Sequence, residues 1–149
     1  ADDEVDGALE LGGQPPRPDF AAETALGSVL VEAARRHLLS SAHDLSDGGL
    51  ATALVESCLR RGLGAALTLP PGDRTVQLFS ESPARAIVSF PASSLDAMAG
   101  LCAEHGLPWQ RLGEVVDHGR LEVVGQFDLD LDAMRAAWSA PLRDAVAGR

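Results

Sequence analysis

The feature that most restricts the fold is a pair of glycines, Gly48-Gly49, between a short extended segment and a run with helical periodicity. Glycine reaches backbone angles that other residues avoid, so a pair of them marks a sharp change of chain direction. Gly62 stands where a left-handed residue ends a helix. The run between them repeats apolar residues every three or four positions, as a helix with one buried face does: Leu50, Leu54, Val55, Cys58 and Leu59. The pattern predicts a short strand, a tight turn and a helix packed on a core.

Capping residues and apolar stripes predict three further helices. One is capped by Ser93 and ends at His105-Gly106, and a short one covers about 131–138 with Asp130 as its cap. The first helix begins at Asp19 and runs to about Leu38, and its inward positions are Leu26, Val29, Leu30, Ala33, Ala34 and His37. Each stripe requires a layer to pack against.

Apolar segments alternate with these helices and predict strands at 64–69, 76–79, 85–90, 112–116 and 121–124. Residues 117–120 (Asp-His-Gly-Arg) predict a hairpin turn between the last two strands. The helix between 85–90 and 112–116 predicts a β-α-β unit of ferredoxin-like character. We therefore predict an α+β fold in which helices cover a mixed sheet. Residues 1–18 are predicted as an acidic, Gly- and Pro-rich tail or linker, and residues 19–149 as one domain.

The charge balance excludes several classes of partner. The 149 residues carry 12 cationic side chains, all of them Arg, against 22 acidic ones, for a net charge of −10. This balance disfavours nucleic acid, and the absence of lysine leaves Arg, backbone N–H groups or a metal to hold any phosphate. No stretch is long and apolar enough to predict a membrane span, and we expect a cytoplasmic protein. The two cysteines, Cys58 and Cys102, are expected to be buried thiols.

Two polar segments are candidates for ligand binding. A helix that starts with two glycines presents N–H groups to an anion, and Ser46 or Asp47 can cap it. The alternative is a capped helix whose glycines only allow close packing. Ser80-Glu81-Ser82 offers hydroxyls and a carboxylate to ribose hydroxyls or a ligand amide, and its alternative is an exposed connection. We predict no metal site: an Asp128-Asp130-Asp132 pattern lacks the glycine and glutamate of a calcium loop.

Two motifs resemble a known family in order and in spacing. Residues 41–51 spell Ser-Ala-His-Asp-Leu-Ser-Asp-Gly-Gly-Leu-Ala, and residues 78–85 spell Leu-Phe-Ser-Glu-Ser-Pro-Ala-Arg. With Leu-Gly-Glu-Val at 112–115, the stretch 9–138 is similar to the phosphoribosylformylglycinamidine synthases of purine biosynthesis. The similarity is to the last quarter of the synthetase subunit, a C-terminal domain of the AIR-synthase type.

The resemblance implies a reaction for the complete enzyme. Formylglycinamide ribonucleotide, ATP and glutamine, as the source of ammonia, become formylglycinamidine ribonucleotide, ADP, phosphate and glutamate. It also implies ATP and Mg²⁺ as cofactors, and as partners the N-terminal ATP-binding halves, a glutaminase and small accessory subunits. Because 149 residues do not include the ATP-binding halves, the resemblance assigns this chain no catalytic residue and no metal ligand. We expect the isolated chain to be inactive and to expose an apolar face where its companion packs.

The resemblance also implies site residues. Ser80, Glu81 and Ser82 would contact substrate, and Pro83 stands where the family's first copy has Gln, which suits an auxiliary site. The phosphate- or nucleotide-facing wall would consist of His43, Asp44, Ser46, Asp47, Gly48 and Gly49. Two alternatives stay open. One is a non-enzymatic module that binds a nucleotide or phosphate or forms a subunit interface. The other is the C-terminal half of a different superfamily member, such as selenophosphate synthetase or thiamine-monophosphate kinase.

Overall fold

The computed structural model describes residues 18–146, and side chains as far as residue 141. The predicted tail falls almost wholly outside these residues and stays a prediction. The helices are α1 (Phe20–Arg35), α2 (Gly49–Arg61), α3 (Arg74–Phe79), α4 (Leu95–Glu104) and α5 (Leu131–Val146). The strands are β1 (Ser41–Asp44), β2 (Gly64–Leu67), β3 (Ala86–Ser89), β4 (Gly113–Val116), β5 (Arg120–Val123) and β6 (Phe127–Asp130).

The strands form two sheets. β1 and β3 make an antiparallel ribbon, and the other four make a mixed sheet in the order β4-β2-β5-β6. In the mixed sheet β2 runs antiparallel to β4 and parallel to β5, and β5 runs antiparallel to β6. The predicted α+β class, with a mixed sheet and helices, is confirmed.

Two predictions about strand pairing are wrong. β3 and β4 flank α4 but belong to different sheets, so they do not form a β-α-β unit. Residues 117–120 reverse the chain without forming a hairpin, because β2 lies between β4 and β5. Residues 64–67 form a short strand that pairs on both edges, and turn chemistry alone gives no sign of an inserted strand.

Two local predictions also differ from the structure. Residues 76–79 lie in α3 and not in a strand, because Asp73 accepts hydrogen bonds from the N–H groups of Thr75 and Val76 and starts a helix. Ser93 does not cap α4: a 3₁₀ turn at Ala92–Ser94 precedes that helix, and Ser94 is its N-cap residue, without a side-chain cap bond. The caps predicted at Asp19 and Asp130 are confirmed, since each carboxylate accepts two backbone N–H bonds.

The buried side chains form two separate cores. The first lies between α2, α3, α5 and the mixed sheet, and its larger members include Leu50, Leu54, Leu67, Leu78, Leu121, Val123, Leu131 and Met134. The second is smaller and lies between α1 and α4: Val29, Ala33, Met98, Leu101 and Cys102. Cys58 is buried in the first core and Cys102 in the second, as predicted, and burial raises the pKa of both thiols. Among the described helices there is none long and apolar enough to cross a membrane.

The inward face of α1 is narrower than predicted. Val29 and Ala33 are buried, but Ala34 and His37 are exposed. The helix ends at Arg35, and His37 has a φ of 56°, so it no longer follows the helical period. His105 is also exposed, at the end of α4.

Candidate functional site

The loop between β1 and α2 is fixed by one buried side chain and two glycines. Leu45 enters the first core directly after β1. Gly48 and Gly49 have φ values of 77° and 63°, in the left-handed region that glycine adopts without strain. A Cβ on Gly49 would lie 2.9 Å from backbone atoms of residues 78–80. Gly49 therefore allows a close backbone approach that no other residue would permit.

The N-terminus of α2 is capped from a distant part of the chain. Neither Ser46 nor Asp47 caps it, because Gly48 is the N-cap residue and no side chain of the loop bonds the first turn. Instead the Gly48 N–H donates to Oε1 of Glu81 at 2.8 Å. The N–H at the start of the helix thus donates to a carboxylate oxygen, an arrangement that the helix dipole favours. That oxygen comes from the second predicted segment, so the two candidate segments are in direct contact.

His43 lies between two hydrogen-bond acceptors. Its Nδ1 is 2.7 Å from the backbone oxygen of Asp44, and its Nε2 is 2.7 Å from Oε2 of Glu56 on α2. A carbonyl and a carboxylate only accept, so both bonds form together only when the imidazole carries two protons. The hydrogen bond to the Asp44 carbonyl raises the pKa of His43 most; partial burial lowers it and Glu56 raises it further. His43 therefore favours its cationic form.

Asp44 carries an exposed carboxylate beside this histidine. The hydrogen bond from the Ser46 side chain lowers the pKa of Asp44, and the charge of His43 acts in the same direction. The loop thus presents a cation and an anion side by side.

The segment from Ser80 to Arg85 is held by polar contacts. The hydroxyls of Ser80 and Ser82 are 2.6 Å apart, and Nη1 of Arg85 donates to the Ser80 carbonyl at 3.2 Å. Ala84 has a φ of 57°, which costs an L-residue about 1–2 kcal/mol. Its N–H donates to Oε1 of Glu23 on α1 at 2.7 Å. Sequence reasoning missed Glu23, because it lies 61 residues away from Ala84 and no local pattern records that contact.

An open cleft of about 660 Å³ runs between α1 and these two segments. Five predicted site residues line it: His43, Asp44, Ser46, Glu81 and Ser82. The other predicted residues, Asp47, Gly48, Gly49 and Ser80, are described by the structure but are not among the lining residues. Residues that sequence reasoning did not assign to the site complete the lining, among them Glu23, Leu26, Leu30, Arg60 and Arg85.

The cleft combines an apolar wall with charged groups of both signs. Leu26 and Leu30 of α1 supply apolar surface, while His43, Arg60 and Arg85 supply positive charge. A concave site of this size with a few polar groups suits a small molecule that has an apolar part and a charged end. Within residues 18–146 no group of three or more His, Cys, Asp or Glu side chains is arranged to hold a metal ion.

Known proteins are similar to this chain along most of its length. "Phosphoribosylformylglycinamidine synthase subunit PurL" of Cutibacterium acnes is 58% identical over 139 residues, which is 93% of this chain and 18% of that protein. The structure of PurLQS from Thermotoga maritima superposes with a TM-score of 0.71 at 23% identity, over 84% of this chain and 23% of that one. T. maritima PurL complexed with ATP gives a TM-score of 0.69 at 23% identity, over 83% and 24%. At this identity the solved structures show that the fold is shared.

The chain thus spans less than a fifth of the length of the curated PurL relative. The family model described as "AIR synthase related protein, C-terminal domain" matches residues 3–126. This range includes the β1–α2 loop and the 80–85 segment, and therefore both sides of the contact between Gly48 and Glu81. A match over most of the chain, on the fold just described, shows that the chain belongs to the C-terminal domain family of AIR synthase related proteins.

Proposed function

We propose that this chain is the C-terminal part of a phosphoribosylformylglycinamidine synthase, the synthetase subunit. The observation that carries this proposal is the 58% identity with PurL of C. acnes over 139 residues. In a chain of 149 residues, a match of that length includes both motifs, at 41–51 and 78–85. Identity at this level favours PurL over the other superfamily members that share the fold.

In this proposal the complete enzyme converts formylglycinamide ribonucleotide, ATP and glutamine to formylglycinamidine ribonucleotide, ADP, phosphate and glutamate. ATP supplies the phosphoryl group that turns the amide oxygen into a leaving group, and Mg²⁺ offsets the polyphosphate charge. We assign the binding of both to the N-terminal ATP-binding halves, as the family resemblance implies. PurL of T. maritima was solved complexed with ATP, which supports nucleotide binding by the complete enzyme. We expect the complete enzyme in the cytoplasm.

The role of this chain is to form one wall of a nucleotide- or phosphate-binding cleft. Arg60 and Arg85 offer guanidinium groups to phosphate oxygens, and the hydroxyls of Ser46 and Ser82 offer neutral donors. His43 adds positive charge, although both of its ring nitrogens are already bonded within the chain. The carboxylates of Asp44 and Glu81 suit ribose hydroxyls. Asp47, Gly48, Gly49 and Ser80 set the course of the loops that carry these groups.

An exposed apolar pair on α3 supports the proposal that other parts of the synthetase pack on this chain. Val76 and Phe79 are 58% and 57% exposed and lie one turn apart on the same helix face. Both side chains are therefore available for contact with another part of the synthetase. We propose that the N-terminal halves cover this domain, and that a glutaminase and small accessory subunits complete the assembly. The composite name of the similar T. maritima structure, PurLQS, fits several subunits.

A chimeric enzyme tests the proposed function. The segment of C. acnes PurL that matches this chain is deleted, and this chain is joined in its place. We expect the truncated PurL and the isolated chain to form no amidine product, and the chimera to restore formation that depends on ATP and glutamine. Turnover by the isolated chain, or a chimera no better than the truncated enzyme, would overturn the proposal.

The cleft also favours a second, narrower function, a nucleotide-binding module that needs no catalytic half. Its support is the mixed apolar and cationic lining described above. Calorimetric titration of the 149-residue chain with ADP tests it, and Arg85→Ala serves as the variant that removes a cationic lining group. We expect binding that the variant weakens several-fold. Equal binding by the two proteins would exclude the cleft as the site.

A further inference from the structure

Glu23 contacts the cleft from the side opposite to the β1–α2 loop. It lies on α1, and its Oε1 accepts the N–H of Ala84 at 2.7 Å. The same helix contributes Leu26 and Leu30, one and two turns further on, to the apolar side of the cleft. Glu23 therefore connects α1 directly to the 81–85 segment.

The N–H that Glu23 binds belongs to a strained part of the wall. Ala84 has a φ of 57°, a conformation that an L-residue adopts only when its surroundings hold it there. Pro83, which precedes it, has no N–H to donate. Held in this way, Ala84 sets the direction in which the chain enters β3 from Arg85 onward.

Two carboxylates hold this segment, one from Glu81 within it and one from Glu23 on α1. Glu81 reaches Gly48 at the start of α2, which packs in the first core. Glu23 belongs to α1, which packs on α4 in the second core. The segment between residues 81 and 84 is thus connected to elements of both cores, and the Glu23 bond joins it to α1.

We infer that Glu23 is a positioning residue of the cleft, which holds Ala84 in its left-handed conformation and thereby fixes the spacing between α1 and the Ser82–Arg85 wall. It acts through Ala84 and not through the ligand. The inference rests on the proposed nucleotide-binding role of the cleft for its functional consequence. Its structural part, that Glu23 holds the wall, is independent of any ligand.

Variants at two positions separate positioning from charge. Glu23→Ala removes the acceptor, whereas Glu23→Gln keeps a side-chain oxygen for the Ala84 N–H and removes only the negative charge. Ala84→Gly allows the left-handed conformation without strain, so in the Glu23→Ala background it tests whether that conformation supports binding without the bond to α1. Glu32→Ala is the matched control, because Glu32 is on the same helix and bonds Arg36, away from the cleft.

The test measures amide hydrogen exchange at Ala84 by NMR and ADP affinity by calorimetry, both on the 149-residue chain. For Glu23→Ala we expect exchange at Ala84 to rise about tenfold, as for loss of one hydrogen bond, and ADP affinity to fall several-fold. Glu32→Ala should behave as the wild type, and Glu23→Gln should keep exchange at Ala84 near the wild-type rate. The double variant Glu23→Ala/Ala84→Gly should keep the reduced ADP affinity, because glycine does not replace the bond to α1.

Unchanged exchange at Ala84 in Glu23→Ala would show that Glu23 does not hold the wall. Faster exchange with unchanged ADP affinity would show that the wall position does not matter for binding, and would overturn the positioning role. If the wild-type chain binds no ADP, the nucleotide role of the isolated cleft fails, while the exchange result still decides whether Glu23 fixes the wall.

Discussion

The two sides of the polar part of the cleft are held in place by different forces. The β1–α2 loop is fixed by packing, because Leu45 is buried and Gly49 lies against the backbone of residues 78–80. The 81–85 segment is fixed by exposed carboxylates that accept backbone N–H groups, at Gly48 and at Ala84. The β1–α2 loop, here called the first wall, should therefore lose stability when side-chain volume is added. The 81–85 segment, the second wall, should lose stability when a carboxylate acceptor is removed.

The largest effect is expected where packing leaves no room. Gly49→Ala places a Cβ 2.9 Å from backbone atoms at a φ of 63°. We expect the free energy of unfolding to fall by about 3 kcal/mol, from steric conflict and backbone strain together. Urea unfolding measures it. Gly27→Ala is the control, because a Cβ there meets nothing within 4 Å and the residue lies inside a helix. If Gly49→Ala were as stable as that control, close packing would not be what fixes the β1–α2 loop.

A pH-dependent effect is expected at His43. Since its pKa is raised in the folded chain, His43 stabilises the fold fully below its unfolded pKa, about 6.5, and the contribution is lost as pH rises through the raised value. His43→Gln should therefore destabilise by about 1 kcal/mol near pH 5.5 and by less at alkaline pH. Urea unfolding of both proteins across this range measures the difference. A difference that grows with pH would contradict the two-donor geometry.

The carboxylate cap should contribute a similar amount. Glu81→Ala removes the acceptor of the Gly48 N–H and is expected to lower stability by about 1 kcal/mol, as for loss of a helix N-cap. Asp47→Ala is the matched control: it lies beside Gly48 but forms no cap bond. Thermal unfolding compares the two variants. If Asp47→Ala lowered the melting temperature more than Glu81→Ala, the α2 N-terminus would be capped by the β1–α2 loop and not by Glu81.

The smallest effect should have the opposite sign. Ala84→Gly removes the strain of a φ of 57° while it adds flexibility to the unfolded chain. We expect a net gain of about 0.5 kcal/mol, measured by urea unfolding. Gly49 and Ala84 would then be two left-handed positions at which a methyl group destabilises the fold, by a large amount at Gly49 and a small amount at Ala84. A loss of stability in Ala84→Gly would show that Ala84 is not strained in solution.

Local features of the fold could be predicted from the sequence because a few neighbouring residues determine them. The caps at Asp19 and Asp130 and the end of α2 at Gly62 follow from short patterns. Family membership was also recognisable, because two motifs kept their order and spacing. The helix at α3 was missed, although Asp73 after a Pro-Pro-Gly turn is a capping signal that an apolar count overlooks.

The parts of the site that were missed depend on contacts between distant residues. Glu81 capping α2 and Glu23 binding Ala84 join positions 33 and 61 residues apart, and no local pattern records such distances. The same reason explains why the hairpin between β4 and β5 was predicted wrongly. Residues 117–120 do reverse the chain, but β2, which lies between β4 and β5, comes from far upstream in the sequence.

The position of β2 in the mixed sheet also bears on how the chain acquires its fold. β2 ends at Leu67, yet its two neighbours begin at Gly113 and Arg120, so both of its edges stay open until most of the domain has been synthesised. Pairings of such high contact order form slowly, and an exposed apolar strand is prone to aggregate meanwhile. With only four residues, β2 offers a short template for wrong pairing. Although β2 is the central strand, its two edges pair only after β4 and β5 have been made. The mixed sheet therefore forms only when the last third of the domain is available.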